Sequence, residues 1–119
     1  MNLLSWNCRG LGALGAVREV TKLIKEYNPQ VLFLIETKRK RHEMDWLRSR
    51  WRFNNCVAVE STGRGGGLAL LWLDEVTVKV QSFSKHHIDV IIGNDNKEVG
   101  KWRFTGFYRE PDTNKRQES

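Results

Sequence analysis

Residues 3 to 37 constrain the fold of this chain more than any other stretch. An apolar run ends at Asn7, a helical pattern with one apolar stripe covers residues 14–27, and a second apolar run ends at Glu36. This order predicts two parallel strands joined by a helix, and such crossovers are nearly always right-handed. Both strand ends should therefore meet at the carboxyl edge of one sheet, where open α/β sheets bind their ligands.

The rest of the chain is typical of further strands. The pattern predicts strands over residues 2–7, 30–36, 53–60, 67–73, 76–83, 87–93 and 98–108, helices over 14–27 and 43–51, and a hairpin turn over 94–97. We interpret this as an α/β (α+β) fold, a partial four-layer α/β sandwich with one mixed β-sheet and two helices on one side. A mixed sheet needs both faces covered, but the two predicted helices lie early in the chain and would cover only one. We therefore expect an uncovered second face, which could support self-association.

Length and charge narrow the class of protein. The 119 residues suit a single domain, 1–119, and the formal net charge of +6 favours an acidic partner, nucleic acid first. Seven basic residues against two acidic ones lie within residues 38–52. Cys8 and Cys56 suit two buried free thiols. With no signal peptide and no apolar run of membrane length, we expect an intracellular protein, nuclear or cytoplasmic and not secreted, with no membrane partner.

Asn7 and Glu36 are the candidate ligand-binding residues at the predicted sheet edge. A carboxylate beside an amide oxygen is a pair of hard oxygen ligands suited to Mg²⁺. Taken singly, Asn7 could be an ordinary turn residue and Glu36 a solvated residue at a strand boundary. Their pairing across one strand-helix-strand unit favours a site.

Four motifs in order carry a family resemblance: SWNCRGLG at residues 5–12, LIETK at 34–38, GRGGGLALLW at 63–72 and GFYREPDTNKRQES at 106–119. Together they resemble the N-terminal half of the endonuclease/exonuclease/phosphatase superfamily. They are most similar to the apurinic-like endonuclease of plant non-LTR (LINE-type) retrotransposons.

The resemblance implies roles for three residues. It places Asn7 and Glu36 in the metal and phosphate site and makes Tyr108 a contact of the scissile phosphate, so all three are candidate catalytic residues. It also implies Mg²⁺ (or Mn²⁺) as cofactor and the phosphodiester backbone of DNA as partner. The chemistry agrees, since phosphodiester hydrolysis needs a cation and an oriented water. Without the resemblance, Tyr108 would be an ordinary half-buried strand tyrosine.

The basic segment, residues 38–52, directly follows the candidate metal ligand. Lys38, Arg39, Lys40 and Arg41 are therefore candidate contacts of a nucleic-acid backbone, with Arg64 of the glycine-rich turn as a further one. The alternative is a solvated helix face with Trp46 and Trp51 turned into the core. His86, His87 and Asp89 resemble a catalytic pair in composition, but neighbouring histidines in a strand point to opposite faces, and a surface strand explains them.

Two segments that the family's chemistry requires do not occur in the 119 residues. These are G-D-x-N, whose aspartate serves the attacking water, and a terminal S-D-H. Groups that act as a unit fail together when one is removed. We therefore expect a truncated Mg²⁺-dependent DNA endonuclease domain of retrotransposon origin, inactive alone. The alternative is a non-catalytic fragment that binds nucleic acid weakly through its basic segment.

Overall fold

The computed structural model describes residues 2–12, 14–61, 65–94 and 100–108. Within them the helices and strands follow the order predicted from the sequence. They are β1 (Leu3–Asn7), α1 (Leu14–Tyr27), β2 (Val31–Ile35), α2 (Arg41–Arg50), β3 (Asn55–Val59), β4 (Leu68–Trp72), β5 (Val76–Ser84), β6 (His87–Asn94) and β7 (Trp102–Phe107). The predicted turn at 94–97 lies, beyond Asn94, outside the described residues.

The first sheet is mixed and has the strand order β1-β2-β4-β3. Strands β1 and β2 are parallel, as predicted, while β4 runs antiparallel to both β2 and β3. The central strands β2 and β4 are buried at every residue but the last. Their uninterrupted apolar sequences fit this position, because a central strand covered on both faces has no polar side.

Both helices cover one face of this sheet, as predicted. Val20 of α1 and Met44 and Leu47 of α2 pack against Leu32 and Leu71 of the central strands. Helix α1 ends where the sequence indicates, at a residue followed by Asn-Pro, because proline disfavours a helical conformation in the residue before it.

The two tryptophans of the basic segment lie in different environments. The Trp51 side chain is buried and its Nε1–H donates to Thr21 Oγ1 at 2.9 Å, whereas Trp46 is 61% exposed. The alternative in which both turn into the core is therefore wrong for Trp46 and correct for Trp51. The buried positions Met44, Leu47 and Trp51 follow helical spacing, and Trp46 falls on the opposite side of α2.

A second, three-stranded antiparallel sheet of order β5-β6-β7 packs on the other face of the first sheet. The Phe33 ring of β2 lies 5.4 Å from the Phe104 ring, and a Cβ atom at Gly106 would come within 2.5 Å of Phe33. The α/β class and the mixed sheet with helices on one side are confirmed. The expectation of an uncovered second face is wrong, so self-association through that face loses its structural basis.

Candidate active site at the carboxyl edge of the first sheet

The ends of β1 and β2 lie side by side. Asn7 pairs with Ile35 in the sheet register, and the Cys8 N–H donates to the Ile35 carbonyl at 2.8 Å. Glu36 follows directly, so Asn7 and Glu36 leave neighbouring strands at the same edge. This is the arrangement that the strand-helix-strand pattern predicts.

The loop after β1 holds the backbone of the Glu36 segment from one side. The Gly10 N–H donates to the Glu36 carbonyl at 2.7 Å, and the Leu11 N–H donates to the Thr37 carbonyl at 3.0 Å. Gly10 has a φ of +92°, a conformation that favours glycine. The loop therefore continues the pairing of β1 and β2 beyond the last residue of each strand.

The glycine-rich turn before β4 holds the same segment from the other side. The Thr37 N–H donates to the Gly67 carbonyl at 3.1 Å, and the Lys38 N–H donates to the Gly66 carbonyl at 3.0 Å. A Cβ atom at Gly67 would overlap Thr37 Oγ1. Sequence reasoning missed these glycines and Thr37 as parts of the site. A run of glycines directly before a buried strand predicts a turn, but it does not indicate that the turn lies beside Glu36.

Glu36 itself has a left-handed backbone. Its φ is +55°, and Arg9 and Lys38 beside it both have a φ of +52°. Residues other than glycine adopt this conformation uncommonly, and they keep it where surrounding contacts over-determine the backbone. The hydrogen bonds from both sides supply that constraint, so the backbone fixes the direction in which the Glu36 side chain leaves the sheet.

The Asn7 side chain is exposed and turned toward the loop. Its Oδ1 accepts a hydrogen bond from the Arg9 N–H at 3.0 Å. This contact is an Asx-type turn, a common use of asparagine after a strand. It uses one lone pair of the oxygen, and within the described residues the amide N–H groups of the Asn7 side chain donate to no other group.

Cys8 lies beneath this edge as a buried free thiol. Burial, then the negative charges of Glu19 and Glu36, raise the pKa of Cys8 to about 12. Half-buried Cys56 is also free, and mainly burial raises its pKa to about 12. The prediction of two free thiols is confirmed.

Tyr108 belongs to the second sheet. It directly follows β7, its side chain is buried in the apolar layer between the two sheets, and its N–H donates to the His86 carbonyl at 2.7 Å. Tyr108 is thus fixed by the packing of the two sheets, whereas Asn7 and Glu36 are fixed by the first sheet and its loops.

Among the four basic candidates after Glu36, Arg39 makes contacts within the fold. Its guanidinium donates to the Leu11 carbonyl at 2.6 Å and forms an ion pair with Glu43. The Lys40 N–H and then the Arg39 guanidinium donate to the Glu43 carboxylate and lower its pKa. Arg39 therefore ties the loop after β1 to α2.

The other basic candidates differ from Arg39. Lys38, Lys40 and Arg41 have exposed side chains, and the Lys38 stem packs beside Gly10. Arg64 lies outside the described residues. Three exposed cations therefore remain next to Glu36 for an anionic ligand.

The donor set at this edge is small. Within the described ranges, no group of three or more His, Cys, Asp or Glu side chains is placed to hold a metal ion. One carboxylate with water and substrate oxygens is nevertheless a usual coordination for Mg²⁺ in proteins. Glu36 with Asn7 beside it fits that ion, and it does not fit a metal that requires an all-protein cage.

The His87 and Asp89 side chains have separate partners. The His87 ring lies 2.6 Å from Ser84 Oγ and 3.0 Å from Ser82 Oγ. Asp89 accepts hydrogen bonds from Arg103 and Thr105, and the Arg103 contact is the main cause that lowers the Asp89 pKa to about 2. The two serines therefore orient the His87 ring. Asp89 is engaged by Arg103.

Comparison with known proteins agrees with this architecture. The chain belongs to the endonuclease/exonuclease/phosphatase family, whose model matches residues 4–118. No match was found among curated proteins. Within the described part of the chain, no helix has the length and apolar character needed to cross a membrane.

Several solved structures share the fold. The human Nocturnin catalytic domain, with bound sulfate anion, matches with a TM-score of 0.71 and 15% identity over 99% of this chain and 52% of its own. A humanized D. rerio TDP2 matches with a TM-score of 0.63 and 18% identity over 99% of this chain and 51% of its own. A truncated Caenorhabditis elegans TDP2 matches with a TM-score of 0.61 and 21% identity over 98% of this chain and 49% of its own. The chain thus spans about half the length of these structures.

Proposed function

We propose that this chain is the N-terminal half of a Mg²⁺-dependent phosphodiesterase domain that acts on DNA. The observation that carries the proposal is the placement of Glu36. Its backbone is held in a left-handed conformation at the strand edge by hydrogen bonds from Gly10 on one side and from Thr37 to Gly67 on the other. A glutamate whose backbone is held in this way suits a metal ligand, because the direction in which its side chain leaves the sheet is set by the fold.

Each proposed residue is assigned a chemical role, and that of Tyr108 follows from the family resemblance. Glu36 would hold Mg²⁺ (or Mn²⁺), which when bound neutralises negative charge on the phosphate. Asn7 has one oxygen lone pair engaged by the Arg9 N–H, so its amide N–H groups are suited to donate to a phosphate oxygen, and its second lone pair remains for the metal. Tyr108 would contact the same phosphate from the second sheet.

The exposed cations next to Glu36 support a nucleic-acid partner. Lys38 and Lys40 of the segment that joins β2 to α2 would meet the phosphate backbone, as would Arg41 at the start of α2 and Arg64. Arg39 contributes by holding this segment against the loop after β1. Binding of this kind should weaken steeply with salt, because it releases counterions from the nucleic acid.

We further propose that the 119-residue chain does not cleave DNA by itself, and that it derives from a plant LINE-type retrotransposon. The motifs supply the support: SWNCRGLG and YREPDTNKR resemble the retroelement pattern, apart from Arg109 where that pattern has glycine, while neither G-D-x-N nor S-D-H occurs in the 119 residues. Without the aspartate that serves the attacking water, hydrolysis lacks its base. The second candidate is a non-catalytic fragment that binds nucleic acid weakly through its basic segment.

Metal binding and cleavage test these proposals separately. Titration of the chain with Mn²⁺, followed by electron paramagnetic resonance of the free ion, should show one site that Glu36→Gln loses. Glu26→Gln is the matched control, because Glu26 is an exposed glutamate of α1 away from the sheet edge. Equal Mn²⁺ binding by wild type and Glu36→Gln would refute the role of Glu36.

Nicking of supercoiled plasmid, with Mg²⁺ and with EDTA, should stay at the level of the Glu36→Gln protein. Metal-dependent nicking that disappears in Glu36→Gln would refute inactivity of the isolated chain and establish the phosphodiesterase directly.

A further inference from the structure

Helix α2 presents an exposed tryptophan that the core does not use. Trp46 is 61% exposed, while Met44, Leu47 and Trp51 of the same segment are buried against the first sheet. A helix in this position already covers its sheet through one face. The indole of Trp46 therefore lies on the opposite, solvent-facing side.

An arginine one turn further along lies over this indole. The Arg50 guanidinium carbon is 5.5 Å from the centroid of the Trp46 ring, and the Arg50 side chain is exposed as well. A cation–π contact of this kind holds two flat, mobile groups together. The pair forms a flat aromatic and guanidinium surface on the outside of α2.

The basic segment, residues 38–52, keeps a positive charge after its internal ion pairs are taken into account. The two acidic residues of the basic segment are engaged, Glu43 by Arg39 and Asp45 by Arg48. The cations of residues 38–52 that have no ion pair within the described part of the chain are Lys38, Lys40, Arg41, Arg50 and Arg52. The exposed aromatic side chain of Trp46 and the guanidinium of Arg50 thus belong to a segment whose charge is positive after internal pairing.

We propose that Trp46 and Arg50 form a stacking platform for unpaired bases of a single-stranded nucleic acid. Aromatic side chains in a positively charged groove bind such strands, because each unpaired base offers a flat face and each phosphate a charge. A duplex offers only its phosphates, since its bases are stacked on each other. The inference rests on the proposed nucleic-acid partner but does not require cleavage.

The position of the platform relates it to the candidate active site. Helix α2 begins at Arg41, five residues after Glu36, and Trp46 lies about 8 Å further along the helix axis at 1.5 Å per residue. The substrate class that fits is a strand with unpaired bases next to the phosphodiester held at Glu36.

Fluorescence anisotropy with three labelled probes tests the platform. The probes are a 12-nucleotide oligothymidine, a strand of equal length made of abasic residues, and a 12-base-pair duplex, all in EDTA at low salt. We expect Trp46→Ala to weaken oligothymidine binding about tenfold, within the range for loss of one stacked base. Binding to the abasic strand and to the duplex should change less than twofold, because the charges are unchanged.

Two further variants sharpen the test. Trp46→Phe keeps an aromatic face and should restore most of the binding to oligothymidine. Trp102→Ala removes an exposed indole from the second sheet and should leave all three probes unaffected, with circular dichroism confirming the fold of each variant.

Several results would overturn the platform. Equal losses on the thymidine and abasic strands would show a contribution of charge or fold alone. Unchanged oligothymidine binding in Trp46→Ala, together with loss of a dimer detected by light scattering, would assign the indole to contact with a second copy of the chain. Absence of oligothymidine binding by the wild type would also refute it. The role of Glu36 is judged separately by its Mn²⁺ binding.

Discussion

Replacement of Gly67 by alanine should destabilise the protein through one identifiable contact. Gly67 has a φ of +93°, and an ideal Cβ atom there would overlap Thr37 Oγ1 and lie 2.9 Å from the Lys38 nitrogen. The second neighbour is backbone that is itself hydrogen-bonded to Gly66. The added methyl group therefore cannot move away from these atoms without a cost in free energy.

The expected cost has two parts. A residue with a Cβ in a left-handed conformation costs about 1–2 kcal/mol, and forcing an extra methyl group into a packed site costs about 1–3 kcal/mol. We expect Gly67→Ala to lower the free energy of unfolding by about 2–5 kcal/mol, which is a large share of the roughly 5–15 kcal/mol of a typical domain.

Urea unfolding followed by circular dichroism would measure this cost. Thr37→Ala in the Gly67→Ala background removes the nearest clashing atom and should recover about 1–2 kcal/mol as a coupling energy, since residues in contact are not additive. Gly12→Ala is the control, because Gly12 is exposed and no atom lies within 4 Å of the position that a Cβ atom would take there. A cost for Gly67→Ala no larger than that of Gly12→Ala, or no recovery with Thr37→Ala, would refute the proposed close approach.

Three other predictions follow from the packing and the titrating groups. Gly106→Ala should cost about 1–3 kcal/mol in urea unfolding, with partial recovery by Phe33→Leu, because the new methyl group meets the Phe33 ring between the sheets. The Asp89 pKa of about 2 lies below its ordinary value of 3.8, so ionised Asp89 favours the folded state above about pH 4. The free energy of unfolding should therefore fall from about pH 4 to pH 2, and it should fall less steeply in Asp89→Asn. Cys8 and Cys56, with pKa values of about 12, should react with a disulfide reagent at pH 8 only after unfolding; rapid labelling of the native protein would contradict this.

The elements of this fold could be predicted from sequence because their signals are local. Helix α1 has an apolar stripe on one side and is followed by Asn-Pro, and the structure gives it the predicted bounds, Leu14–Tyr27. The apolar run of β2 likewise indicates a strand covered on both faces. Such signals need only a few neighbouring residues.

The assignment of strands to sheets could not be predicted in the same way. The alternating pattern of β5 indicates which of its side chains are buried, and Val76 is indeed in the core. It does not indicate whether β5 extends the first sheet or packs across it. That choice depends on contacts between distant residues, such as Phe33 with Gly106, and no short pattern encodes them.

The residues of the candidate site likewise differ in whether a local sequence signal predicts them. Asn7 and Glu36 could be placed together because one parallel crossover fixes the positions of both strand ends. The support from Gly66 and Gly67 could not be predicted, because it requires β4 to lie beside β2 although the basic segment and β3 intervene in the chain. The inward role of Arg39 was missed for the same reason, since its partner Leu11 is distant in sequence.

The left-handed conformations around Glu36 bear on how the site would work. Arg9, Glu36 and Lys38 are the non-glycine residues at this edge with a positive φ, and each costs free energy that other contacts must offset. The offsetting contacts are backbone hydrogen bonds from two loops. The direction in which the Glu36 side chain leaves the backbone is therefore set by the fold, so cation binding need not reorganise the Glu36 backbone. We therefore expect Gly67→Ala to lose Mn²⁺ affinity in the absence of urea, where the variant remains folded. Unchanged affinity would show that the side chain of Glu36 finds its position without the constraint from the glycine-rich turn.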